Sequence, residues 1–296
     1  MSVPAPDLEK LQAALSREIQ AFDGACGFFA LDLESGSTVA DAEHEPLEIA
    51  SAFKLLPLIA AYRRWDAGQL DLGQTITVGR NDRVRGSGLL RELQDDVATS
   101  LGNLLRLMII VSDNVATVHV LRTLGVEAVN EVAADLGLER TVFHPPGEGQ
   151  RAHATSTPRE LVLAMRAVME DRAASAASCG EMRQMLAMQF YLDQLPRYLP
   201  VNQYADELGQ EPLVTVRNKT GFSAGIRSDV ASIETPGHLP VLMSAITNWA
   251  QPDAGAKSLL SEPACCLHGT LARIVIDTLR PGLATLPYTP YSVRRW

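Results

Sequence analysis

Strand-like and helix-like periodicities fall in separate parts of this chain, and that separation constrains the fold more than any other feature. Near the N-terminus CGFFALDL (26–33) and STVADAE (37–43) alternate like strands around the turn Glu34-Ser35-Gly36-Ser37. Strand patterning returns at PLVTVRNKT (212–220), GIRSDVASIE (225–234) and HLPVLMSAIT (238–247). From about Pro46 to Gly209 the signals are helical, with several segments ending at glycine as helices do. Leu8, Leu11, Leu15 and Ile19 predict a helix over 7–22, and another is expected from about His268 to Leu279. Thr157-Pro158-Arg159-Glu160 reads as a capping box with proline in the first turn. The expectation is an α/β fold: one antiparallel sheet built from both chain ends, flanked by helices, with an all-α subdomain inserted. The boundaries predicted are 1–45 with 212–296 for the α/β part and 46–211 for the helical part.

Composition narrows the partners. The 296 residues sum to a net charge of −9, and nucleic acid or an anionic membrane needs a cationic surface instead. No apolar run approaches the roughly 20 residues of a membrane span. The N-terminal segment carries charge throughout and has no apolar core of a leader, so a cytoplasmic location is expected. Cys26, Cys179, Cys265 and Cys266 show no metal-binding spacing, and two of them are adjacent, so reduced thiols are expected. The six histidines form no i,i+4 pair, and neither a metal nor a cofactor is expected. The expected partner is a small-molecule substrate.

Three short motifs carry chemistry. Of 26 cationic residues only four are lysine, at Lys10, Lys54, Lys219 and Lys257, and arginine cannot act as a base near neutrality. One of the four closes Ser51-Ala52-Phe53-Lys54 at a predicted helix start. Residues three apart share a helical face, so an amine desolvated by Phe53, Leu55 and Leu56 can serve the Ser51 hydroxyl as its base. The amide of Ser51 at that helix end suits a developing oxyanion. Ser112-Asp113-Asn114 offers a hydroxyl and an amide, or simply a helix junction capped by Ser112 or Asn114. Lys219-Thr220-Gly221 offers a cation and hydroxyl for a carboxylate, or simply a strand entering a turn.

In this order the S-x-x-K, S-D-N and K-T-G motifs resemble those of class A β-lactamases and penicillin-binding proteins. The resemblance extends through SAFKLLPLIAAYRRWDAGQLDLGQTI, GSGLLREL (86–93), LLRLMIIVSDNVATVHVLRTLG, ATSTPREL (154–161) and NKTGFSAGIRSDVASI. It implies a serine hydrolase in which Ser51 is acylated and Lys54 is its base. Ser112 would relay a proton to the leaving nitrogen and Asn114 would hold the substrate. Lys219 and Thr220 would anchor its carboxylate, and the amides of Ser51 and Phe222 would form the oxyanion hole. Arg227 is either a second charge beside the anchor or a solvated strand residue.

Two departures qualify the resemblance. The stretch Leu138 to Thr157 is shorter than the family's omega loop and lacks its E-x-x-L-N segment, leaving Glu148 as the one stand-in for the deacylating carboxylate. Phe222 stands where the family has a small residue. Besides a β-lactamase, a biosynthetic or catabolic amidase, esterase or acyl-transferase with poor β-lactam turnover fits these residues. A further alternative is an α/β-hydrolase. Gly221-Phe222-Ser223-Ala224-Gly225 matches that fold's G-x-S-x-G elbow, with Asp229 and His268 able to complete a triad.

Overall fold

The computed structural model describes residues 6–144, 153–202, 204–205, 207–249 and 262–284. Five strands form one antiparallel sheet: β1 (Ala25–Asp32), β2 (Thr38–Asp41), β8 (Thr215–Ser223), β9 (Ile226–Glu234) and β10 (Val241–Asn248), in the order β2-β1-β10-β9-β8. The first and last thirds of the chain meet where β1 pairs with β10, Ala25 opposite Asn248 through Asp32 opposite Val241. Both sheet faces are covered, so side-chain alternation distributes residues between two cores.

Phe28, Ala30, Ala231, Ile233 and Met243 point to one face, where they pack on α1 (Leu8–Gln20) and α8 (Pro263–Leu279). In α1 the predicted stripe Leu11, Leu15, Ile19 is the buried one, and Asp7 caps the helix by accepting from the Lys10 amide. Helix α8 starts five residues before the predicted His268. Glu262 caps it, accepting from the Cys265 amide at 2.8 Å, and Pro263 occupies the first turn. A short helix, α9 (Pro281–Ala284), follows.

Phe29, Leu31, Val230, Leu242 and Ile246 point to the other face and join the larger core of the helical part. That part comprises α2 (Leu55–Asp66), α3 (Leu101–Ile110), α4 (Asn114–Leu124), α5 (Val126–Asp135), α6 (Pro158–Met169) and α7 (Ala176–Ala187). It is not purely helical. β4 (Thr75–Val78) pairs with β5 (Val97–Ser100), and β3 (Leu47–Glu48) adds to the hairpin of β6 (Val142–His144) and β7 (His153–Ser156). These ribbons are only two to four residues long, too short for alternation to stand out against the surrounding helices.

Thr157 caps α6 as predicted, but the capping box is half made. Glu160 turns away to accept from the Arg140 amide and the Thr141 hydroxyl at 2.9 and 2.6 Å, tying the helix to the start of β6.

Candidate active site

Ser51 lies in a 3-10 turn, Ala50–Lys54, that runs directly into α2. The turn is pinned on two sides. The Ile49 amide donates to Ala154 of β7 at 3.0 Å, and the Ser228 hydroxyl of β9 donates to the Ile49 carbonyl. Ala50 adopts φ 40°, a left-handed conformation that costs a residue with a Cβ roughly 1–3 kcal/mol.

Gly221 explains how β8 comes so close to this turn. A Cβ there would lie 2.4 Å from the Ile49 carbonyl oxygen and 2.9 Å from the Ala52 amide nitrogen, so only glycine permits the approach. The register then decides what β8 presents. The strand returns as β9 through the two-residue turn Ala224-Gly225, so Ser223 and Ile226 form a hydrogen-bonded pair. Bonded and non-bonded pairs alternate, so Gly221 and Ser228 are bonded while Phe222 and Arg227 are not. The Phe222 amide therefore faces away from β9, and among the described residues β8 is the last strand of the sheet on that side.

Ser112 stands between α3 and α4 with φ 53°, a second left-handed residue. Asp113, not Ser112 or Asn114, is the N-cap of α4. Its buried carboxylate accepts from the amides of Ala116, Leu89 and Leu90, and its own amide donates to Leu107. Two donors fix the Ser112 carbonyl, Lys54 Nζ at 2.8 Å and Ser87 Oγ at 2.7 Å.

Both motif lysines converge on the Ser112 hydroxyl. Lys54 Nζ and Lys219 Nζ each lie 3.1 Å from Ser112 Oγ. Lys54 also donates to Asn114 Oδ1 at 2.8 Å, and Lys219 to the Thr220 carbonyl at 2.7 Å. Asn114 Nδ2 in turn donates to the Arg85 carbonyl at 3.1 Å. The two lysines are 1% and 0% exposed, so their charge is felt at short range through little solvent. Burial pushes the Lys219 amine below the ordinary lysine range, and the Asp229 carboxylate works against that shift. Burial pushes Asp229 up, against the Asn218 amide and the Leu195 N–H that donate to it.

Arg227 is not a solvated strand residue. It is 2% exposed, with its guanidinium stacked 3.6 Å from the Phe222 ring centroid and Nη2 3.4 Å from Glu262 Oε1. Phe222 itself is 58% exposed, so its ring covers the cation from solvent. Thr220 is nearly buried on the same strand face as Phe222.

The α/β-hydrolase alternative is contradicted by the backbone. Ser223 ends a strand that turns into another strand, and the elbow requires a helix there. Asp229 is bonded to Asn218 and Leu195, and His268 to Gln194 and Thr247, so no triad forms. Glu148 lies outside the described residues. The stretch read as a shortened omega loop contains the β6–β7 hairpin, with the His144 and His153 rings stacked 4.7 Å apart. Among the described residues no group of three His, Cys, Asp or Glu is arranged to hold a metal ion.

Three contributors carried no signal of their own in the sequence. Ser87 and Gly88 lie within the quoted GSGLLREL; Ser87 fixes the Ser112 carbonyl, and a Cβ on Gly88 (φ 119°) would strike Asp113 at 2.3 Å. Gln194, buried beneath β8, donates to the Gly221 carbonyl at 3.1 Å.

The model of the beta-lactamase enzyme family matches residues 10–268. The β-lactamase of Streptomyces cellulosae is 30% identical over 253 residues, which is 79% of this chain and 75% of that protein. Beta-lactamase 3 of Bacillus cereus is 27% identical over 285 residues, covering 92% of this chain and 82% of that one. The crystal structure of a β-lactamase from Sphaerobacter thermophilus DSM 20745 superposes with a TM-score of 0.79 at 28% identity, covering 92% of this chain and 98% of that one.

Proposed function

Since the chain belongs to the beta-lactamase enzyme family and is a serine hydrolase resembling its class A members, we propose that it cleaves a β-lactam or a related amide or ester through an acyl-enzyme at Ser51. The observation that carries this reading is the meeting of two buried lysine amines on one hydroxyl, beside a turn where the only S-x-x-K serine sits. In its neutral form Lys54 offers a lone pair, and takes the Ser51 proton as Oγ attacks the substrate carbonyl. The oxyanion that forms accepts from the Ser51 and Phe222 amides. Collapse breaks the C–N or C–O bond, and Ser112 Oγ gives its proton to the leaving atom and regains one from the adjoining ammonium. Lys219 keeps that hydroxyl polarised and, with Thr220, favours an anionic group on the substrate. Asn114 holds Lys54 and orients the substrate amide; Gly221 brings β8 to the turn.

A second reading rests on the β6–β7 hairpin that stands where the E-x-x-L-N segment is missing. Deacylation there depends on Glu148, or else is slow, and the natural acyl group leaves by another route, as in an amidase, esterase or acyl-transferase. Stopped-flow assay of a chromogenic cephalosporin separates the two. Steady fast turnover that Glu148→Gln abolishes favours the β-lactamase. A burst followed by slow turnover, unchanged in Glu148→Gln, favours the second reading. Among the described residues no helix is long and apolar enough to cross a membrane. The finer placement, cytoplasmic, draws support from Cys26, Cys179 and Cys265, buried cysteines that form no disulfide.

A further inference from the structure

We infer that Gln194 is a positioning residue for the oxyanion hole, clamping the Gly221–Phe222 peptide through a hydrogen-bond chain that begins at His268. The inference rests on the reading above that the Phe222 amide receives the oxyanion. The C=O of Gly221 and the N–H of Phe222 belong to one planar peptide and point in opposite directions. A donor fixed on the carbonyl therefore sets the direction of the amide at the strand edge. Gln194 Nε2 is a second such donor beside the Ser228 N–H of the bonded pair, 3.1 Å from the Gly221 oxygen.

The chain has one consistent direction. A carbonyl only accepts, so the Gln194 NH2 group must face Gly221 and its Oε1 must face His268 Nδ1, 3.1 Å away. Burial, helped by the Arg227 charge, pushes the His268 imidazole down to about 3, so the ring is neutral and carries a single proton. That proton is on Nδ1, because Oε1 has nothing to donate. Nε2 is then the unprotonated nitrogen, 3.3 Å from the oxygen of the Thr247 hydroxyl, whose one proton goes to the Arg227 carbonyl at 3.3 Å. His268 and Gln194 thus donate in series toward Gly221, and bonds in series polarise one another. The final effect is a more acidic, better directed Phe222 amide.

The support of Gln194 is itself rigid. It is 1% exposed and precedes the 3-10 turn Leu195–Tyr198, whose first amide donates to Asp229 Oδ2 at 3.1 Å. His268 is 0% exposed on α8. A useful contrast is Gln189, equally buried at 2%. Its Nε2 bonds the Ile109 carbonyl at 2.9 Å and approaches that of Asn218 at 3.5 Å, so it secures a seam between elements without touching the Gly221–Phe222 peptide.

The experiment acylates the full-length protein at Ser51 with a slowly released β-lactam labelled with 13C at the reacting carbonyl. The infrared band of that carbonyl reports the hydrogen bonds it accepts. In Gln194→Leu the band is expected to move to higher wavenumber and broaden, and acylation to slow about tenfold in kcat with KM little changed. That loss is part of the roughly 10²–10³ that removing one oxyanion donor costs. His268→Leu, which frees the Gln194 amide to turn, shifts the band the same way and keeps the test alive if Gln194→Leu does not fold. Gln189→Leu loses comparable thermal stability with the band unmoved. A folded Gln194→Leu or His268→Leu enzyme with the wild-type band, or an equal shift in Gln189→Leu, overturns the inference. No Ser51 adduct in the wild type overturns it together with the reading it rests on.

Discussion

Ser112 shows how much a single residue holds in this site. Its left-handed backbone is fixed by donors from Lys54 and Ser87, and its hydroxyl receives both lysines. Ser112→Ala keeps the carbonyl contacts and removes only the hydroxyl. Acylation of a β-lactam by Ser112→Ala is expected to fall roughly 10²–10⁴-fold, the usual worth of a positioned proton donor, with an unchanged circular dichroism spectrum. The Arg227–Glu262 pair makes a different kind of prediction. Glu262→Ala strips a buried guanidinium of its counter-charge and α8 of its cap, and urea unfolding should show a loss of about 3–5 kcal/mol. Arg227→Met combined with Glu262→Ala should recover part of it. The meeting of Lys54, Ser112, Asn114 and Lys219 was legible from the sequence because each lies in a three-residue or four-residue motif. The surroundings of Arg227 were not, since Glu262 lies 35 positions further on and no local pattern links the two.

At the scale of elements, the decisive contact is the edge of β8 against the turn that carries Ser51. Gly221→Ala places a methyl group against backbone atoms at Ile49 and Ala52, where no flexible side chain can yield. The strand must shift, and with it the Phe222 amide. Acylation is expected to fall at least about 10²-fold, since oxyanion donors are effective only at hydrogen-bond distance. Stopped-flow labelling and a melting curve check this together: a melting point lowered with acylation intact would separate packing from chemistry. Element type was legible where periods ran long, as in α1, α2, β1 and β9. It failed at β4, β5, β6 and β7, which are too short to show a period, and at the start of α8. There the signal was present in Glu262-Pro263, a cap and a first-turn proline.

For the whole molecule, the joining of distant strands across β1 and β10 was readable from where the two periodicities lay. The hydrogen-bond layer beneath β8 was not, because Gln194, Thr247 and His268 come from three unrelated segments. That layer has a thermodynamic consequence. A neutral His268 held down to about 3 stays unprotonated in the folded protein while the unfolded chain takes up a proton below about 6.5. Its contribution is intact above pH 6.5 and is lost as pH falls toward 3. Asp229, whose carboxyl burial raises, tilts the other way and gains stability on acidification. Between pH 7 and 4.5, His268→Gln is therefore expected to lose about 2–3 kcal/mol less than the wild type in urea unfolding. An equal loss in both proteins would show that the imidazole takes up its proton in the folded state.

The central claim is that Ser51 is the nucleophile. Intact-mass analysis after brief mixing with a penicillin tests it most directly, using the wild type, Ser51→Ala and Ser223→Ala. The expected result is a single adduct of the drug's mass on the wild type and on Ser223→Ala, mapped by peptide digestion to Ser51, and none on Ser51→Ala. An adduct that persists in Ser51→Ala, or that is lost in Ser223→Ala, would contradict the account.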